Sequence, residues 1–172
     1  DFSSTTLNTS IYANRSIYGT AFMNISGGKL NFYGNGSGGC ALTTGTFFSS
    51  KNYINVTSDG EFLTTINLIS GYGSTNDRLA IGLINNFGGT AGVYFDKDSA
   101  TGWYLVNQVT GLRACGGIVI ALDSAPHIFR IVANRDSGID TIFNTYIDGV
   151  LFCSVTQSSL ITNLYANITD HG

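Results

Sequence analysis

From His127 to Thr156 the chain reads HIFRIVANRDSGIDTIFNTYIDGVLFCSVT, with apolar and polar residues alternating and a break at Asp148-Gly149. Alternation with period two sends successive side chains to opposite faces of a strand, so such a run buries one set and wets the other. Asp-Gly between two runs of this kind favours a type I′ hairpin turn, because both residues tolerate positive φ. The stretch therefore predicts a β-hairpin centred on Asp148-Gly149, with Phe129, Ile131, Phe143 and Ile147 turned inward.

The rest of the chain speaks for the same class. It holds one Glu (Glu61), three Lys and one Met, so strong helix formers are scarce. Strands are expected at 20–25, 29–33, 41–48, 61–69, 79–84, 91–95, 103–109 and 118–122, set apart by Gly, Asn, Asp or Ser at the spacing of a sandwich. In the strand at 61–69, Phe62, Thr64 and Ile66 share one face and Leu63, Thr65 and Asn67 the other. The single Pro, Pro126, stands before His127, which reads as the residue that opens the next strand. At 172 residues the chain fits one domain. Residues 1–20, rich in Ser, Thr and Asn, read as an extended N-terminal arm, and residues 21–172 as a single all-β sandwich.

Five short motifs follow one another in a telling order: Gly27-Gly28-Lys29-Leu30, Gly92-Val93-Tyr94-Phe95, Trp103-Tyr104, the HIFRI strand at 127–131 and Tyr146-Ile147-Asp148-Gly149-Val150. This wording resembles the concanavalin-A-like lectin/glucanase jelly rolls. The resemblance implies an antiparallel jelly-roll-like sandwich, a fold shared by enzymes, lectins and structural subunits. Glucanases of the group carry their acid and nucleophile as two Glu residues spaced along one strand. The matching segment here, 76–83, has none, and Glu61 stands alone in the chain, so a non-catalytic member without β-glucan hydrolysis is expected.

Charged residues make up 11% of the chain and the net charge is −3, against a usual charged fraction of about 25%. Asn-x-Ser/Thr triplets at Asn8, Asn14, Asn24, Asn35, Asn55 and Asn167 offer another way to wet the surface, namely N-linked glycans. They point to a secreted, extracellular or cell-surface protein, its leader already removed. Clustered Lys and Arg are lacking, which excludes nucleic acid as a partner. No apolar run reaches the roughly 18 residues of a membrane-spanning helix. Cys40, Cys115 and Cys153 allow one disulfide and leave one thiol over, with the pairing open; none has zinc-knuckle or Cys-x-x-Cys spacing.

Other motifs divide between chemistry and plain structure. Gly34, Gly36 and Gly39 spell a pyrophosphate-binding pattern, but the CALTTGTFF that follows continues as strand instead of opening a helix. No cofactor is therefore expected, apart from calcium as a candidate at Asp96, Asp98, Asp136 and Asp140, where turn aspartates are the plainer reading. Trp103, Tyr104, Tyr72 and Tyr94 are either a sugar-stacking platform or core. His127 and His171 come with no Gly-x-Ser-x-Gly elbow.

Two functions compete. An extended arm and a C-terminal sheet that looks incomplete, since the chain stops at LYANITDHG, soon after the loop that follows the strand at 150–156, point to a homopolymeric extracellular filament joined by strand donation, with Leu7, Ile11 and Ile17 as arm anchors. The alternative is a carbohydrate-binding, lectin-like domain.

Overall fold

The Asp148-Gly149 hairpin forms as the alternation requires. Asp148 and Gly149 have φ of 51° and 80°, the two positive values of a type I′ turn. The computed structural model describes residues 14–18, 22–27, 29–33, 39–43, 54–55, 60–67, 78–85, 91–98, 102–120, 125–136, 140–158 and 163–171. Among them there are fourteen strands and no helix. In chain order these are β1 (Asn14–Tyr18), β2 (Phe22–Ser26), β3 (Lys29–Tyr33), β4 (Gly39–Thr43), β5 (Ile54–Asn55), β6 (Gly60–Asn67) and β7 (Arg78–Ile84). The others are β8 (Gly92–Asp98), β9 (Gly102–Asn107), β10 (Leu112–Ile118), β11 (Pro126–Asp136), β12 (Asp140–Ile147), β13 (Val150–Gln157) and β14 (Asn163–His171).

The strands make a large sheet, ordered β1-β4-β14-β7-β8-β9-β10 with β5 beside β14, a smaller sheet, ordered β13-β12-β11-β6, and the separate hairpin β2-β3. Every pairing is antiparallel. The two sheets bury their facing sides in one core. Ile81 and Leu83 from β7, Phe95 from β8 and Trp103 and Leu105 from β9 meet Phe129 and Ile131 from β11 and Phe143 from β12, all fully or almost fully buried. The Phe129 ring lies 4.5 Å from that of Trp103 and 5.2 Å, edge-on, from that of Phe95. Each such side chain contributes roughly 1.5–3 kcal/mol by leaving water. The predicted inward set, Phe129, Ile131, Phe143 and Ile147, is buried throughout.

One polar device joins the two sheets across this apolar core, and a second mends the ladder within the small sheet. The buried Gln157 amide of β13 accepts from the Gly92 N–H at 2.9 Å, and its Nε2 donates to the Gly92 carbonyl at 2.7 Å and to Asn107 Oδ1 at 2.8 Å. It thus pairs with β8 as another strand would. Where the β12–β13 register shifts, the buried Thr145 hydroxyl donates to the Cys153 carbonyl at 3.0 Å and satisfies the disturbed ladder.

Three expectations are corrected. The strand foreseen at 118–122 lies instead at Leu112–Ile118, because bulges at Ala114 and Gly117 interrupt its alternation. The C-terminal sheet is not incomplete: β14 is nine residues long and sits between β4 and β7. Part of the supposed donor arm is a strand of its own chain's sheet, since β1 pairs with β4 and places Ile17 opposite Cys40; Leu7 and Ile11 lie outside the described residues. An edge already filled by its own strands needs no neighbour's, and the filament reading loses its mechanism.

Asp148 also latches the start of β11. Its Oδ2 lies 2.8 Å from His127 Nδ1, its Oδ1 accepts from the Ile128 N–H at 2.8 Å, and its own N–H donates to the Ile128 carbonyl at 2.9 Å. The bond from His127, then that from Ile128, holds the Asp148 carboxyl below its ordinary range. A depressed carboxyl stabilises the fold above its unfolded pKa of about 3.9, and the gain is lost as pH falls through the folded value. Asn tolerates the positive φ of the turn, so Asp148→Asn should fold and show a shallower fall of Tm in acid than the parent. Thermal melts between about pH 6 and 2 measure this, and parallel curves would exclude the latch.

Candidate functional site

On β7, β8 and β9 the residues that alternate with the core set face away from the small sheet. Register lines them up across four strands in two rows: Gly82–Tyr94–Val106–Arg113 and Ala80–Asp96–Tyr104–Gly116. At about 4.8 Å per strand the rows are about 14 Å wide. Within them Tyr94 and Tyr104 stand diagonally, each half-buried, and the other diagonal is Val106 and Asp96, the latter only 5% exposed. Two aromatic rings therefore border a floor that carries one acid.

Small residues shape the surroundings. A Cβ at Gly82 would run into Tyr94 Cβ and come within 2.7 Å of the Val93 carbonyl. A Cβ at Gly116 would run into the Tyr104 ring, so that ring extends over β10 at a place only glycine leaves open. The Arg113 guanidinium stacks 3.8 Å above the centre of the same ring. Ala80 and Gly82 on β7 leave a stripe without bulk beside Tyr94 and Asp96. Rings that can stack on the apolar face of a ligand, with a carboxylate beside them, are among the groups that a polyhydroxylated ring calls for.

The structure sorts the other candidates. Trp103 is core, fully buried, and Tyr72 lies outside the described residues. Glu61 is on the outer face of the small sheet, bonded to Arg130 at 2.8 Å, on the far side of the sandwich from the two rows. Asp96 and Asp98 belong to β8, whereas Asp136 and Asp140 oppose each other in the small sheet, so the two pairs lie on different sheets. Among the described residues no group of three or more His, Cys, Asp or Glu is placed to hold a metal ion. Gly39 opens β4 directly. His127 is the second residue of β11, bonded to Asp148, and His171 ends β14.

Cys115 and Cys153 form a disulfide between β10 and β13, and Cys40 lies on β4 opposite Ile17 and Asp170. Of the sequons, Asn24 is exposed on β2 and accepts from Asn31 Nδ2 at 3.1 Å. Asn14 begins β1, Asn55 ends β5 and Asn167 is inside β14, while Asn8 and Asn35 lie outside the described residues. Sequence reasoning missed Arg113, Gly82 and Gly116, and took Asp96 for a turn aspartate, since only the cross-strand register brings them together.

No family model matches the chain, and no curated protein does. Solved structures do. The carbohydrate recognition domain of Emp46p, in its metal-free form, superposes with a TM-score of 0.67 at 10% identity, covering 92% of this chain and 81% of that one. The legume lectin-like domain from Entamoeba histolytica gives 0.52 at 12% identity, covering 92% and 82%. The fold is the antiparallel jelly-roll-like sandwich that these domains share. A human SPRY domain also superposes, with a TM-score of 0.59 at 15% identity over 90% of this chain and 92% of that one. At such identities the likeness concerns the fold alone. Within this jelly roll, the filament expectation is overturned on two counts: β1 and β14 complete their own sheet, and carbohydrate recognition domains stand among the structural neighbours.

Proposed function

We propose that this jelly roll is a lectin-like, carbohydrate-binding domain without catalytic activity, and that it holds its glycan on the outer face of the large sheet. One observation carries the reading: the two cross-strand rows set Tyr94, Asp96 and Tyr104 around a shallow floor beside Ala80 and Gly82. Sugar C–H faces stack on the tyrosines and hydroxyls donate to Asp96, while Glu61 is too far round the sandwich to act with it. The domain belongs outside the cell on this reading. A disulfide persists in oxidising compartments, and the exposed Asn24 sequon is a surface acceptor for an N-linked glycan.

A glycan array followed by titration calorimetry tests the site. Tyr94→Ala and Asp96→Asn should each weaken binding at least tenfold, about 1.4 kcal/mol, with the β-sheet circular dichroism of the parent retained. Glu61→Gln, on the opposite face, should bind as the parent does. Equal affinity in all three variants would place the ligand elsewhere.

A further inference from the structure

The outer face of the large sheet ends on a cation that the sheet is bent to present. β10 is the edge strand, and its pairing with β9 is irregular: Arg113 is opposite Val106, and Cys115 is opposite Leu105, so Ala114 is an extra residue. In a regular strand, residues 113 and 115 share a face. The bulge separates them. Cys115 follows Leu105 inward, where it meets Cys153 of the small sheet, and Arg113 stays with Val106 on the outer face. Bulges re-aim side chains in this way at edges and beside sites.

The re-aimed Arg113 is exposed, with its guanidinium 3.8 Å above the Tyr104 ring. That ring is in turn fixed by Gly116, whose missing Cβ leaves room for it. A guanidinium held flat on an aromatic ring has lost much of its rotamer freedom in advance, and its planar fork of N–H donors matches the two oxygens of a carboxylate. Asp96 would repel such an anion, but it is set two strands from Arg113, on β8, with Tyr104 of β9 between them. The face therefore grades from an acid with small neighbours at β7–β8 to a stacked cation at β10.

We infer that the ligand is an acidic saccharide, one bearing a uronate-type carboxylate that Arg113 reads while Tyr94 and Asp96 hold the adjoining ring. This rests on the outer face being the glycan site. The disulfide fixes β10 against β13, so Arg113 is presented by a strand tied to the opposite sheet rather than by a loose edge.

The test is an array of galacturonate, mannuronate and hyaluronan oligosaccharides, each printed beside its carboxyl-reduced, neutral form, probed with the whole chain and its variants. The parent should favour at least one acidic member over its reduced form by tenfold or more. Arg113→Gln should erase that preference, and Arg113→Lys, which keeps charge without the planar fork, should restore only part of it. If the parent binds the neutral forms as well as or better than the acidic ones, or if the acidic preference survives in Arg113→Gln, the carboxylate reading is wrong. When such neutral binding still falls in Tyr94→Ala, the face is correct and only its acidic specificity fails. Binding that is indifferent to both Arg113→Gln and Tyr94→Ala, or no binding to any glycan, overturns the site as well.

Discussion

Gly92→Ala should cost more than about 4 kcal/mol, the range in which single substitutions report a specific structural conflict, and most of the stability of an ordinary domain. Gly92 opens β8 with a φ of 109°, a backbone conformation that side chains with a Cβ rarely adopt. The added Cβ would run into the Leu83 carbonyl oxygen and come within 2.7 Å of Ile84 Cα. Both belong to the backbone of β7, in the interior of the large sheet, so neither can turn aside as a flexible side chain would. The same glycine offers its N–H and C=O to the buried Gln157 amide, and a shift of β8 would break that bridge to the small sheet too. Urea denaturation measures the loss. Gln157→Leu is a milder companion that removes the partner of the buried Gly92 N–H, at about 1–3 kcal/mol, while the Gly92 carbonyl keeps the Gln108 N–H. A Gly92→Ala midpoint equal to the parent's would show that β8 enters the sheet in some other conformation.

What could be read from the sequence depends on whether a feature is local. The β12–β13 hairpin was legible because Asp148-Gly149 supplies two residues that accept positive φ and the flanking strands keep strict alternation. The face assignment of β6 was legible for the same reason: Phe62, Thr64 and Ile66 are half-buried and Glu61, Leu63 and Thr65 exposed. β10 was not, because the extra residues Ala114 and Gly117 each flip the period, and Arg-Ala-Cys-Gly-Gly then resembles a turn. The role of β14 was hidden for another reason. Nothing in Asn-Leu-Tyr-Ala-Asn-Ile-Thr-Asp-His states that it inserts between β4 and β7, elements far away in the chain.

The candidate site was half legible. Tyr94 and Asp96 are two residues apart on one strand, so alternation alone puts them on a common face. That Asp96 is opposite Tyr104, and Tyr94 opposite Val106, is a matter of register between β8 and β9, and a slip by one residue would turn either set inward. The turn at 108–111 and the bonds that close it, Gly111 N–H to the Asn107 carbonyl at 2.9 Å and Val109 N–H to Asn107 Oδ1 at 3.0 Å, set the register of β10 against β9. The chemistry of the face thus depends on a turn, at 108–111, whose own residues take no part in it.

Reduction of the Cys115–Cys153 disulfide should lower stability by about 4 kcal/mol, the chain-entropy value for a loop of this length, since the two cysteines are 38 residues apart. For a chain of this size that corresponds to a fall in Tm of roughly 8–16 °C. The cross-link joins β10, an edge of the large sheet, to β13, an edge of the small one, and so closes one side of the sandwich covalently. A Cys115→Ser/Cys153→Ser double variant should melt at the lower temperature and ignore dithiothreitol, whereas Cys40→Ser should melt and respond as the parent does. If Cys40→Ser instead abolishes the response to reductant, the pairing is wrong; if the parent's Tm is unchanged by reductant, the bond contributes nothing. The double variant also separates two halves of the binding face. Loosening β10 should reduce discrimination between acidic and neutral saccharides, which depends on where Arg113 is held. The contribution of Tyr94 and Asp96, anchored on β8 within the sheet, should persist.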